Sequence, residues 1–175
     1  MQYYCTVRSG GFGDAPQYSH ACSEADRLPP ADRIGRKVCN MTFSDLYIGQ
    51  KASVQKTFTS ADVTSFAGIT LDVNPLHMSE GYAKSTVFGR RIVHGMLTAG
   101  LISAVLANQL PGPGTIYLGQ EMRFVAPVYP NDDVTAEVEI VELREEKKIV
   151  KLRTTCSNQD GKVVISGMAT VKFDR

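Results

Sequence analysis

The chain reads as an α+β domain, with an antiparallel sheet wrapped around one long central helix. Three observations predict this. The run from about Val93 to Leu110 is apolar nearly all round, the pattern of a helix buried on most of its circumference. Beyond it the period changes to two, with Val134, Ala136, Val138 and Ile140 alternating with Thr135, Glu137 and Glu139. The later strand-like runs are joined by short turns, Glu145-Glu146-Lys147-Lys148 and Asp160-Gly161, as in a meander.

Each element follows from local chemistry. Residues 1–40 scatter their apolar side chains among glycine, proline and charge without any period, so they offer little burial to offset ordering entropy. They are expected to be a poorly structured leader or extension, with the domain at 41–175, Met41 a candidate first residue and order beginning near Tyr47. Gln50 to Phe58 reads as a strand. Thr59 or Ser60 can cap a helix from Ala61 to Ile69 whose Val63, Phe66 and Ala67 share a face. Thr70 to Leu76 reads as a loop around the turn-forming pair Asn74-Pro75, and Ser79 can cap a short helix reaching Lys84. The long helix carries small residues at Gly95, Ala99, Gly100, Ser103, Ala104 and Ala107 and is stopped by Pro111-Gly112-Pro113-Gly114. Strands at Thr115 to Val125, Ile149 to Cys156 and Val163 to Phe173 complete the sheet, with Pro127 and Pro130 restricting the turn after the first.

Composition excludes several classes of function. Among 175 residues, 19 are basic and 18 acidic, a formal charge of +1. That balance leaves no electrostatic footprint for nucleic acid or an anionic membrane. No run approaches the roughly 20 apolar residues of a spanning helix. Cys5, Cys22, Cys39 and Cys156 lack the short spacings of a zinc site, and without a signal peptide they read as reduced thiols in an intracellular compartment. His20, His77 and His94 form no metal-ligand pattern. No G-x-S-x-G supports a serine hydrolase, and Gly11-Phe12-Gly13 lacks the strand–helix setting of a dinucleotide loop. Lys84, Arg90 and Arg91 could meet a phosphate or simply be solvated charge.

Two places could carry chemistry. In Asp72-Val73-Asn74-Pro75-Leu76-His77 the Asn-Pro bend can fold the carboxylate back towards the imidazole, so that both reach one water or substrate proton. On composition alone the same residues read as a loop-capping aspartate and a surface histidine. His94-Gly95-Met96 opens the long helix, where unpaired N–H groups can polarise a carbonyl and a glycine lets a ligand approach the backbone. The alternative there is a sterically required entry turn with His94 a structural residue.

The segment Phe66-Ala67-Gly68-Ile69-Thr70-Leu71-Asp72-Val73-Asn74-Pro75-Leu76-His77 resembles the hydratase motif of MaoC-like (R)-specific enoyl-CoA hydratases. Ile92-Val93-His94-Gly95-Met96-Leu97 and Leu110-Pro111-Gly112-Pro113-Gly114, followed by Tyr117-Leu118-Gly119-Gln120, match the same family in order. The 3-hydroxyacyl-thioester dehydratases of fatty acid synthesis share these blocks. The likeness runs from about Met41 to Lys172, and only Arg91, where proline is common, departs from it. The resemblance implies a hot-dog fold, a homodimer and a catalytic Asp72/His77 dyad. It also implies a Gly95 backbone N–H on the thioester carbonyl, with Ser103 and Asn74 as further substrate-binding residues. The implied reaction adds water to a trans-2-enoyl thioester to give the (R)-3-hydroxyacyl thioester, reversibly. No metal or cofactor is implied, since coenzyme A or acyl carrier protein arrives within the substrate. A cytoplasmic location is expected, or the mitochondrial matrix in a eukaryote. A thioester hydrolase of the same fold and a non-catalytic acyl-thioester-binding regulator are the alternatives.

Overall fold

The structure, a computed structural model, describes residues 41–175. The leader reading of residues 1–40, with Cys5, His20, Cys22 and Cys39, lies outside the described residues.

Order begins earlier than Tyr47. A 3-10 turn at Phe43–Asp45 is closed by a capping box between Thr42 and Asp45, and it buries Phe43 and Leu46 in the core. The Phe43 N–H donates to the Arg175 carbonyl at 2.9 Å, joining the two ends of the described chain. Strand β1 (Lys51–Thr57) leads into α1 (Ser60–Thr70). Thr59 caps α1 reciprocally with Asp62, and that pairing with Thr59 holds the Asp62 carboxyl below its ordinary range. Two short helices, α2 (Pro75–Met78) and α3 (Glu80–Lys84), precede the long α4 (Gly95–Asn108). The expected loop therefore ends in a helical turn: Asn74 caps it and Pro75, pre-set in φ, starts it.

Strands β2 (Ile116–Phe124), β3 (Asp133–Arg144), β4 (Ile149–Asn158) and β5 (Val163–Lys172) join β1 in one antiparallel sheet of order β1-β3-β4-β5-β2. The alternation seen in β3 is physical: Val134, Ala136, Val138 and Ile140 are all fully buried. They pair in register with β4, whose Val150, Leu152, Thr154 and Cys156 face the same way. Helix α4 packs across β1, β3, β4 and β2, burying Ile102, Val105 and Leu106. Sheet and central helix together make the hot-dog fold.

The helix is less enclosed than its composition predicts. Met96, Gly100, Ser103 and Ala107 form a stripe along α4 that is exposed in the single chain. A helix apolar all round has two faces to cover, and this sheet covers one of them.

The Tyr117–Gln120 block has a structural task. The Tyr117 hydroxyl donates to Gln120 Oε1, and Gln120 Nε2 donates to Thr154 Oγ1 at 3.0 Å, crossing β5 to reach β4. Gly167 makes the crossing possible, because a Cβ there would stand 2.1 Å from the Glu121 carbonyl oxygen and 2.8 Å from Gln120 Nε2.

Candidate active site

The site is assembled where α1 ends. Leu71 takes a left-handed conformation, φ 63°, which turns the chain sharply and leaves the Asp72 side chain half exposed. Asn74 Oδ1 accepts from the Leu76 N–H at 3.0 Å, so this side chain caps α2. The following turn carries His77 back towards the segment entering α4. There His77 Nδ1 lies 2.9 Å from the Ile92 carbonyl. A carbonyl only accepts, so Nδ1 carries a proton, and in the neutral ring the lone pair is on Nε2. A neutral histidine held in this way is a base with its accepting nitrogen free.

His94, the residue before α4, is 1% exposed and lies against that ring: the centroids of His77 and His94 are 3.9 Å apart at 32°. Phe66 of α1 is 5.0 Å from the His94 ring. The His94 Nε2–H donates to the Asp72 main-chain carbonyl at 2.9 Å, and its Nδ1 has no hydrogen-bond partner. Asp72, His77 and His94 thus each offer an atom within 4.8 Å of the others. Sequence spacing gave no metal-ligand pattern, yet folding gathers three residue types that ligate metals. Asp72 Oδ2 and His94 Nε2 stand 4.0 Å apart, wider than the roughly 3.3 Å spanned by two ligands of a tetrahedral zinc ion. The His94 nitrogen is also engaged by a carbonyl. The arrangement suits proton transfer better than ligation.

A cleft of about 400 Å³ opens beside these groups. Asp72, His94 and Gly95 line its polar end, and Phe88, Val125 and Ile165 are among its apolar walls, whereas His77 and Asn74 stand behind that end and do not line the cleft. The Val125 N–H bonds the Val164 carbonyl of β5 at 2.9 Å, fixing one wall to the sheet, and the Val93 N–H bonds the Val128 carbonyl of the loop between β2 and β3 at 2.7 Å, tying the segment entering α4 to that loop. Gly95 is the first residue of α4, where backbone N–H groups lack partners within the helix. The space beside its Cα belongs to this chain: a Cβ would meet Phe124 Cε1 at 2.6 Å and Cδ1 at 2.8 Å. A side chain at this position would have to push the Phe124 ring aside, whatever approaches the N–H from the cleft. Sequence reasoning missed both Phe124 and the pairing of His94 with Asp72. The only local signal was His94 standing next to Gly95.

The remaining candidates lie apart. Ser103 sits eight residues along α4, about 12 Å from Gly95, on the exposed stripe and outside the cleft lining. Arg91 pairs with Glu80 at 3.3 Å and donates to Ser60 Oγ at 3.2 Å, while the Arg90 guanidinium lies 3.8 Å from the centre of the Tyr129 ring. Both arginines already have partners in the protein.

The MaoC-like domain matches residues 47–162. The (R)-specific enoyl-CoA hydratase of Rhodospirillum rubrum is 54% identical over 129 residues, 74% of this chain and 89% of that protein. The 3-hydroxybutyryl-CoA dehydratase of Methylorubrum extorquens is 49% identical over 133 residues, 76% of this chain and 84% of that one. Among solved structures, the (R)-hydratase of A. caviae involved in PHA biosynthesis superposes with a TM-score of 0.71 at 49% identity, covering 73% of this chain and 97% of that one. With the motif residues in order and the same fold beneath them, the chain belongs to the MaoC-like domain family.

Proposed function

We infer that this protein catalyses the reversible hydration of trans-2-enoyl thioesters to (R)-3-hydroxyacyl thioesters, acting as a hydro-lyase on acyl-CoA substrates. One observation carries the mechanism. A half-exposed carboxylate at the polar end of an otherwise apolar cleft stands close to an imidazole anchored through its Nδ1. Two hydrogen bonds of about 2.8 Å from one water at a tetrahedral angle span roughly 4.6 Å. A ring nitrogen of His77 lies within 4.8 Å of an Asp72 carboxylate oxygen, which supports a dyad that shares one water.

In the forward direction the water oxygen bonds to the β-carbon as one of its protons passes to the dyad. The dyad returns a proton to the α-carbon, so the balance is the addition of one water. The α4 terminus, through the Gly95 N–H, would stabilise charge that develops on the thioester oxygen. Asn74 contributes by shaping the turn between the dyad residues, and its amide N–H₂ is left for substrate. Ser103 is too far from Gly95 to meet the reacting carbons and would touch substrate only at a distance from them.

Proton transfer by the dyad suffices for this chemistry, so the reading calls for no metal or cofactor beyond the coenzyme A or carrier protein in the substrate. The proposed state is a homodimer. The exposed α4 stripe and the apolar side chains of edge strand β2, Ile116, Tyr117 and Leu118, support it. Among the described residues no helix is long and apolar enough to cross a membrane, and the cytoplasm is the proposed compartment. The domain is proposed to start at Met41, so a chain beginning there should keep full turnover at equal dimer content. A large loss would move that boundary.

Crotonyl-CoA tests the activity directly, with enoyl absorbance and free thiol followed together. Loss of absorbance without thiol release is the expected result. Thiol appearing as fast as the enoyl signal fades would replace the hydratase reading with a hydrolase one.

A further inference from the structure

We propose that His94 is a positioning residue for the hydration, setting the separation of Asp72 and His77; this rests on the hydratase reading above. Three contacts converge on its side chain. The Nε2–H reaches the Asp72 carbonyl at 2.9 Å, the ring faces His77 at 3.9 Å, and Phe66 stands 5.0 Å away. Its main chain is the cap position of α4, directly before Gly95. All three functional elements therefore meet at one buried imidazole.

The Asp72 segment needs such a clamp. Its other hydrogen bonds among the described residues are short-range: Val73 N–H to the Leu71 carbonyl at 3.1 Å, and two long contacts of 3.4 Å involving Thr70 Oγ1 and Asp72 Oδ1. The His94 bond alone ties Asp72 to a distant part of the chain, and it acts on the main chain of the very residue whose carboxylate must be aimed. His77 is anchored separately, through Nδ1 to Ile92. Because Ile92 and His94 belong to the same short segment entering α4, the two anchors share one base. Removing the Nε2 donor frees the carboxylate from its fixed distance to His77. Misplacement by about 1 Å can cost on the order of 10²-fold in rate.

The geometry requires the Nε2–H tautomer of His94 and the Nδ1–H tautomer of His77. Nitrogen NMR of the wild-type imidazoles reads both tautomers without any substitution. An Nδ1–H tautomer at His94 would overturn the proposal outright. Three variants test the function of the bond. His94→Gln places an amide N–H near the Nε2 position, His94→Asn places one near Nδ1, and His94→Phe keeps the ring but has no donor. With crotonyl-CoA, Phe and Asn should lower kcat about 10²-fold with KM little changed, and Gln should recover most of the loss. Thermal midpoints should run the other way, with Phe the most stable in this aromatic, buried slot. A merely structural role makes activity follow folded fraction, with Phe the best variant. Gln no better than Phe, or Phe at wild-type turnover per folded molecule, sinks the His94 assignment and leaves the hydratase reading standing. Wild-type protein inert on crotonyl-CoA sinks the hydratase reading itself.

Discussion

Strands β3 to β5 with α4 and the segment from Ile69 to His94 are built on opposite principles. The first region is a layer of apolar side chains at period two, Val134 to Ile140 against Val150 to Cys156, all removed from water. The second runs from the end of α1 through short helices and turns in which Ile69 is 81% exposed, Leu71 81% and Val87 97%, with only Ala83, Val93 and His94 buried. Burial holds the scaffold, whereas a handful of hydrogen bonds ending on Asp72 and His77 holds the site. Stability and chemistry should therefore separate by region. Substitutions in the turns should remove activity and leave the fold, while substitutions in the sheet should do the reverse.

The largest effect should come from the dyad. Asp72→Asn and His77→Gln each remove a proton-transfer group, whose contribution is typically about 10²–10⁴-fold. If both act on one water, the double variant should be little slower than either single, and thermal midpoints should barely move. Additive losses in the double variant would mean that the two residues act on separate steps.

Gly95 lies where the regions touch, and there the comparison is sharpest. Gly95→Val should lower hydration by about 10²–10³-fold, the usual loss when an oxyanion donor is disturbed. The intruding side chain meets the edge of Phe124, whose ring is 54% exposed and has room to turn aside, so the protein should still fold. Adding Phe124→Ala should restore part of the turnover by relieving that collision. Kinetics of the single and double variants side by side would show how much of the glycine requirement is Phe124 and how much is access to the N–H.

The scaffold gives the opposite signature. Leu152→Ala in β4 should destabilise by about 2–5 kcal/mol, measured by denaturant unfolding, with kcat of the folded protein unchanged. A changed kcat would show that the sheet tunes the turns after all.

The smallest effect is a pH dependence. Burial pushes the Cys156 thiol from 9.0 up to about 12. The folded-state value lies above the unfolded one, so the thiol's contribution is full below about 9 and is lost as pH rises towards 12. Cys156→Ala should flatten the alkaline decline in stability, and an unchanged decline would assign it to other groups.

The amino-acid sequence by itself determined everything that depends on neighbours a few residues apart. The alternation in β3, the Thr59 and Ser79 caps, the turn at Asp160-Gly161 and the end of α4 before Pro111, at Asn108 rather than the expected Leu110, are set by local sterics and hydrogen bonding, and their residues announce them. Resemblance added the dyad and the glycine, because the motif keeps residue types in order even where spacing alone leaves geometry open. Tertiary structure decided the rest. It exposed the α4 stripe, because the sheet covers one helix face only, and with it carried Ser103 away from the cleft. It put Phe124 against Gly95 and brought His94 against His77, with its Nε2–H donating to the Asp72 carbonyl. Those contacts join residues 17 to 29 positions apart through the packing of α4 on the sheet, and no local period encodes such distances.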